Sequence, residues 1–547
     1  MAQETTIMDT LKPKNDLAHV EITDDIDLSK SEAAVNAAAA GQATTGYETL
    51  TLWQTAMKFK VASIVCLLAA FSASTDGFQI GINASIIANE GFIRQFATKQ
   101  QADGTEYLAS PILSAWGSIM SVGQIIGMTA SPFISSRFGR KKAMYTYWFV
   151  LAMSVMTESL ARTWSVWLGA KLLAGVGVGS MQSTLPTYIS EIAPVRIRGA
   201  LLMCYSLWFS LGVFVAQIAL NTMNANRPLD WLLPIYCQWG QIGLMILVYV
   251  FLPESPIWCV ERGQFDRAQK ELRRINYGVA DYDSAQQLQV LSLTVEHERA
   301  VAEELRQTHW YAIFQGTNGR RTVIALWTNM TQQFVGLTLF SIYGTYFFQQ
   351  AGIKNPFQVT VITSSMNIAA TLLLVVIGDR IGRRSIACYA ATVSWTACLL
   401  IGILGVVPRN NAVDNVFVFF VCVWNIGTTA IGAAGWSFIG EISSQRLRHY
   451  TAGFGAALTC VAGIIMSVLV PYMVNTNQWN WGLKTAFFYV GLCLPFVIGI
   501  WFLIPETSGR SAAELDELFE RKIKPWNFKK TETATQRLVI AEKQAAA

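Results

Sequence analysis

Twelve stretches of this chain are apolar for about twenty residues each, and no other feature constrains its fold so strongly. They lie at 60–86, 110–134, 143–161, 164–190, 199–221, 233–252, 322–349, 358–377, 385–406, 414–440, 450–474 and 483–504. A helix rises about 1.5 Å per residue and a hydrocarbon layer is about 30 Å thick, so each run is long enough to cross a bilayer. Open strands are excluded there, because lipid cannot satisfy their backbone polar groups. Composition points the same way: only 14% of the 547 residues are charged, and mean hydropathy is +0.35. These values exclude a disordered chain and argue against an ordinary soluble enzyme. The net charge of +5 carries no nucleic-acid signature. The expected fold class is all-α and integral to the membrane, with twelve transmembrane helices.

Basic residues cluster in alternate short loops. Arg137, Arg140, Lys141 and Lys142 follow the second run, and Arg196 and Arg198 the fourth. Arg380, Arg383 and Arg384 follow the eighth, and Arg446 and Arg448 the tenth. With twelve spans, all of these fall on one side. The positive-inside rule makes that side the cytoplasm and places both termini there, in a multi-pass protein of the cell membrane. The polar N-terminus carries no signal-peptide pattern. The expected organisation is a disordered cytoplasmic tail (1–57), a six-helix bundle (58–252), an intracellular helical linker (253–320), a second six-helix bundle (321–504) and a cytoplasmic tail (505–547). Within the linker, Phe265 to Ile275 and Asp283 to Gln307 have helical periodicity. Eight of the nine cysteines fall in apolar runs and Cys259 follows one, so no disulfide is expected. No histidine lies deep in a run.

The two halves repeat. Arg137-Phe-Gly-Arg140 recurs as Arg380-Ile-Gly-Arg383, and Glu191 with Arg198 recurs as Glu441 with Arg448. Pro253-Glu254-Ser255 recurs as Pro505-Glu506-Thr507. The shifts of 243, 250 and 252 residues are nearly equal, which implies two related bundles with substrate between them and access alternating by rocking.

Further motifs stand in a fixed order with these. They are Gly175-Val-Gly-Val-Gly179, Pro186-Thr-Tyr188, Glu191-Ile-Ala-Pro194 and Pro253-Glu-Ser-Pro256 in the first half. In the second half they are Gln332-Gln333 with Gly336, Gly378-Asp379-Arg380-Ile-Gly382-Arg383-Arg384, and Pro505-Glu-Thr-Ser-Gly509-Arg510. Over about residues 58–520 the set resembles the sugar porter branch of the major facilitator superfamily. Thr345-Tyr-Phe-Phe348 before Ala351-Gly352, Gln238-Trp239, Pro253 to Trp258, and Ser443-Ser444 ahead of Leu447-Arg448 are most similar to fungal α-glucoside or maltose-type permeases.

The resemblance implies a role for each matching position. Arg137, Arg140, Glu191, Arg198 and Glu254 in one half, and Asp379, Arg380, Arg383, Glu441, Arg448 and Glu506 in the other, would form a cytoplasmic salt-bridge network that closes that side in the outward-open state. Pairs at a wet boundary are individually weak, so they can break in each cycle. Ser136 stands where the family has an acid. A sugar binder needs fixed amides or hydroxyls and an aromatic platform. By resemblance Gln332, Gln333 and Asn367 are sugar-contacting amides, Trp436 is the stacking ring and Tyr343 the gate. Thr338 replaces an Asn and Ser206 a Gln, which makes the site roomier or less polar.

Proton coupling requires a membrane carboxylate that responds to the cycle. The Gly-Tyr-Asp run of proton-linked relatives is Gly77-Phe78-Gln79 here, and their Val-Gly-Glu run is Val122-Gly123-Gln124. Asp76 remains, three residues before Gln79 and on nearly the same face, with Lys171 as candidate partner. Two of three expected acids are neutral, which favours facilitated diffusion over proton symport. Glu158, near the end of span three, reads as interfacial. The expected function is carriage of a hexose or an α-glucoside such as maltose. The alternatives are a quinate- or polyol-like solute, an exported secondary metabolite, or a non-transporting sugar sensor. Expected partners are the sugar-like solute, membrane lipid and, for a symporter, protons. No nucleic acid, cofactor, metal or enzymatic chemistry is expected, and the chain is expected to be a monomer.

Overall fold

The computed structural model describes residues 51–531, except 101–103, 105, 280–281, 307–308, 409, 444–446, 509 and 511. Most of both expected tails therefore lies outside the described residues. One boundary moves: residues 52–57, expected in a disordered tail, belong to the helix Leu52–Lys58. The cause is local. Thr51 Oγ1 accepts from Gln54 N–H at 3.4 Å and Gln54 Oε1 accepts from Thr51 N–H at 3.1 Å, a reciprocal capping box.

Every expected span is helical. Span one is Lys60–Phe71 continued by Ala73–Ile86, span two Ser110–Phe138 and span three Arg140–Leu160. Spans four to six are Trp164–Ile192, Arg198–Asn226 and Leu233–Phe251. Span seven is Gly316–Gln332, a π-type stretch Gln333–Ile342 and Gly344–Gln350. Spans eight to twelve are Pro356–Ile381, Arg383–Leu404, Asn411–Ile442, Arg448–Val474 and Thr485–Leu503. Among the described residues nine helices are by themselves long and apolar enough to cross a membrane. Spans three and four are diluted by Tyr, Thr, Ser and Gly and by Glu158 or Lys171. Span seven is broken at Gly336, whose φ of 102° is open to glycine at little cost.

Spans one to six pack together, as do spans seven to twelve, and the halves meet along spans two with eleven and five with eight. Small residues set the closest approaches. A methyl group at Gly175 would strike the Met120 carbonyl, and one at Gly179 the Gln124 carbonyl, so spans two and four touch backbone to backbone. Small residues at such positions let two helices approach closely in lipid.

The linker forms helices Pro256–Glu261, Phe265–Ile275 and Ser284–Arg306 at the end that carries the basic loops. Trp258, Cys259, Val260, Ala268 and Val295 make its small core. Trp258 Nε1 donates to the Ser136 carbonyl at 2.8 Å, and Arg262 donates to the same carbonyl at 2.9 Å. The backbone of the loop after span two is thereby tied to the linker. Burial pushes the Cys259 thiol up to about 11. It is then a protonated, shielded thiol at pH 7.5 and should resist maleimide labelling in the folded chain. Labelling at the rate of a free cysteine, read by mass spectrometry, would show that the linker undocks.

The opposite end is capped by the helix Glu90–Phe96 and a two-stranded hairpin, Lys99–Gln100 with Glu106–Tyr107. Phe92, Phe96, Trp116, Trp167 and Trp231 interlock there in mostly edge-to-face contacts.

Candidate functional site

At the end opposite the basic loops the halves are hydrogen-bonded to one another. Ser110 Oγ donates to the Pro471 carbonyl at 3.2 Å, Ser114 Oγ to that of Val468 at 2.9 Å, and Gln349 Nε2 to that of Ala88 at 3.1 Å. The Ser85 and Thr345 hydroxyls are 2.6 Å apart. Tyr343 is buried in this seam, its hydroxyl within reach of the Leu113 carbonyl at 3.1 Å and the Ser467 carbonyl at 3.2 Å. One O–H shared between carbonyls of both halves is a bond that breaks when they part. The position expected to be the gate lies on the closed side.

Deeper along span seven, Gln332 Nε2 donates to the Thr428 carbonyl of span ten at 3.2 Å, and Gln333 is buried. Trp436, also on span ten, is 54% exposed, and Ser206 on span five is exposed as well. Thr338 is wholly buried and its Oγ1 has no partner among the described residues. Asn367 is engaged elsewhere. Its Oδ1 accepts from Ser210 Oγ at 3.0 Å, and its Nδ2 donates to Thr429 Oγ1 at 3.0 Å. Spans five, eight and ten meet on this one amide. Asn329, not singled out from the sequence, is buried one turn before Gln332, and its side-chain polar atoms have no partner among the described residues. The i, i+3 spacing of Asn329 and Gln332 was the available signal. Both lie against glycines of span ten: a methyl at Gly435 would strike Asn329, and one at Gly432 would strike Gln332.

The charged interior differs from expectation. Lys171, the candidate partner of Asp76, bonds Glu158 instead, Nζ to Oε1 at 3.0 Å. Glu158, two residues from the end of span three, does not face solvent: both side chains of the pair are 0% exposed. Gln79 Nε2 also donates to Glu158 Oε1. Gln238 Nε2 donates to Glu158 Oε2 at 3.2 Å, Ser154 Oγ to Oε1 at 3.3 Å, and Lys171 lies 4.5 Å from the Trp167 ring centroid. A buried lysine needs an anion, and the neutral Gln79 cannot be one. Span three supplies it, and an amide at 79 is then the complementary choice, because a second carboxylate there would repel Glu158. Asp76, in the first turn of Ala73–Ile86, is also 0% exposed. Gln182 Nε2 donates to its Oδ2 at 2.9 Å and the Tyr205 hydroxyl at 3.4 Å, while its Oδ1 has no partner among the described residues. Gln182 and Tyr205 come from spans four and five, and nothing in the sequence pointed to them.

At the basic end the repeat becomes geometry. Arg140 Nη2 pairs with Glu191 Oε1 at 2.7 Å while its Nε reaches both carboxylate oxygens. Arg383 pairs with Glu441 at the equivalent place in the second half. Glu254 accepts from the backbone of Arg140 at 2.9 Å and Lys141 at 3.1 Å, and Glu506 from that of Arg383 at 3.0 Å. Each carboxylate caps the start of a span, Glu254 that of span three and Glu506 that of span nine. Arg137 lies 5.7 Å from the Phe138 ring centroid. Arg198 Nε is buried without a partner among the described residues, and Arg448 is exposed. The side chains of Asp379 and Arg380 lie outside the described residues. Each of these ion pairs stays within one half.

This architecture and these motifs are shared with known proteins. The chain is 27% identical over 535 residues to MFS transporter fmqE of Aspergillus fumigatus, covering 93% of this chain and 97% of that one. It is 26% identical over 500 residues to the general alpha-glucoside permease of Saccharomyces cerevisiae, covering 90% and 80%. The fold matches the inward-open xylose transporter XylE from E. coli with a TM-score of 0.67 at 19% identity, over 84% of this chain and 99% of that one. The family model described as Sugar (and other) transporter matches residues 65–519. With that match over most of its length, on a multi-pass helical fold of this kind, the chain belongs to the sugar (and other) transporter family.

Proposed function

We propose that this protein carries a small polyhydroxylated solute, a hexose or an α-glucoside such as maltose, by alternating access and without a coupled proton. The observation that carries the reading is the Glu158–Lys171 pair. The interior lysine is neutralised by a carboxylate that is itself held by Gln79, Gln238 and Ser154, all sealed from solvent. A charge so enclosed is built to stay put, whereas a coupling acid must meet water once in each cycle. The sugar assignment is supported by the amides of span seven, of which Gln332 is bonded to span ten, by the exposed ring of Trp436 on that same span, and by the permease relatives. The basic loops face the cytoplasm on this reading, with both termini, in a monomer at the cell membrane. The seam at Tyr343 then closes the outer side, and the two bundles rock about a passage between the halves.

One observation favours a second reading, proton symport through Asp76, because that buried carboxylate has only neutral donors among its hydrogen-bond partners. The test is uptake of radiolabelled maltose and glucose in yeast lacking its own hexose and maltose carriers, with external pH recorded. Saturable uptake without alkalinisation, retained by Asp76→Asn, is expected. Alkalinisation that Asp76→Asn abolishes would replace this reading with the second. If neither sugar enters, with the protein at the cell surface, the sugar assignment is overturned in favour of another solute or a sensor. In the same assay Gln332→Ala should raise KM about tenfold, the equivalent of one good hydrogen bond of about 1.4 kcal/mol.

A further inference from the structure

Span six reaches the basic end of the molecule with an outward apolar face: Leu244, Leu247, Val250 and Phe251 are exposed, Phe251 by 70%. Two cations are fixed at that edge by the last carbonyls of the span. Lys141 Nζ donates to the carbonyls of Val250 at 3.0 Å and Leu252 at 2.8 Å, and Arg274 Nη2 to that of Phe251 at 2.7 Å. We propose that these two residues, with Arg267 and Lys270 of the linker helix Phe265–Ile275, bind the phosphate headgroup of an anionic phospholipid whose chains lie along span six. The contact requires that this end meet a bilayer surface. It holds whichever side of the membrane that is and whatever solute the chain carries.

Position and charge select the ligand. Leu247, Val250 and Phe251 belong in hydrocarbon, so the cations bonded to the carbonyls beside them stand where acyl chains give way to phosphate. Neither cation is exhausted by those bonds. An ammonium has three N–H donors and a guanidinium five, of which the span-six carbonyls take two and one. Arg267, Lys270 and Arg274 are spaced i, i+3 and i+7, so they form one stripe of the linker helix, and all three are exposed. Arg274 and Arg267 both lie close enough to repel the Lys141 ammonium, which joins the stripe to the start of span three. Nearby acid offsets only part of this charge. Glu271 is 3.8 Å from Arg274 Nη1, and Glu254 is committed to the backbone N–H groups of Arg140 and Lys141. Lys141, Lys142, Arg267, Lys270 and Arg274 outnumber Asp266 and Glu271, the carboxylates of the helix. Like charges gathered in this way repel one another until an anion sits among them. A phosphodiester supplies only acceptors and a negative charge, whereas the choline of a zwitterionic headgroup would bring a further cation. One lipid held here ties the linker, span three and span six together.

The test uses the full chain in nanodiscs of phosphatidylcholine, with or without added phosphatidylinositol. Native mass spectrometry should show one phosphatidylinositol retained in preference to phosphatidylcholine. A basic residue near an anionic surface strengthens attachment about fivefold, so Lys141→Met/Arg274→Gln should weaken retention about 25-fold. Lys270→Gln, at an exposed position, should weaken it about fivefold with Tm in phosphatidylcholine unchanged, which covers the case that the double variant misfolds. Arg320→Gln/Lys522→Gln removes two exposed cations of the second half and should retain the lipid in full. In the unmodified chain, hydrogen exchange of the amides of Phe265–Ile275 should slow at least threefold when phosphatidylinositol is present. Equal exchange in the two lipids overturns the proposal. So does equal loss of lipid in Lys270→Gln and the second-half control, which would mean a diffuse attraction with no site. If soluble glycerophosphoinositol protects the linker as well as the lipid does, the site takes a free phosphate ester and the lipid assignment falls.

Discussion

Glu158→Gln should lower the stability of the folded chain by roughly 3–5 kcal/mol, because it strands the Lys171 ammonium without the carboxylate that neutralises it. Thermal unfolding of the detergent-solubilised protein would show this as a large fall in Tm and in monodisperse yield. Lys171→Met alone should be costly for the mirror reason, since Glu158 then keeps only neutral donors. Removing both charges as Glu158→Leu/Lys171→Met should restore most of the loss, because a buried pair exchanged for apolar side chains of similar volume is often neutral or stabilising. The double variant also separates structure from mechanism. If it folds and transports at a normal rate, the pair holds spans three and four together. If it folds and does not transport, the charges belong to the cycle. An unchanged Tm in Glu158→Gln would mean that water reaches the lysine and that the cluster is not sealed.

Gly382→Ala and Gly139→Ala should each cost roughly 2–5 kcal/mol, for the same reason at equivalent places in the two halves. Gly382 has φ 90° and ψ 141°, and Gly139 has φ 106° and ψ 158°, a region nearly closed to any residue with a Cβ. The added carbon would also lie 2.6 Å from Glu506 Oε2 or 2.5 Å from Glu254 Oε2, displacing the carboxylate that caps the next span. Both variants should express poorly and melt early, and Gly199→Ala, where nothing lies within 4 Å, is the matched control. Equal Tm values for Gly382→Ala and the control would refute the cap.

The motif repeat was legible because it is local chemistry. Arg-x-Gly-Arg at a loop, a carboxylate after the sixth span and the same set about 250 residues on are visible without any knowledge of packing. The structure adds what the glycine is for, and that Glu254 and Glu506 bond backbone N–H groups. Span seven was read as a single apolar run, yet it breaks at Gly336 and Tyr343, since hydropathy reports length and not backbone continuity. Asn367 shows the opposite limit. An amide in a span reads equally well as a ligand contact or as an inter-helix bond, and here Ser210 and Thr429 engage it.

By itself the sequence determined that the chain lies in a membrane, how many times it crosses, that its halves are related and which family its loops resemble. These follow from the length of apolar runs, from the need to satisfy backbone groups in lipid, and from residues adjacent in the chain. Only the tertiary structure decided which acid meets which base. Asp76 and Gln79 are one turn apart on the same helix, yet one faces Gln182 and Tyr205 and the other faces Glu158. Lys171 could be matched to either by spacing alone. Helix rotation and interaxial distance, fixed by glycines such as Gly175 and Gly179 pressed against span two, turn the lysine toward span three. Ion pairing falls off over a few ångströms, and that is a scale on which hydropathy and spacing carry no information.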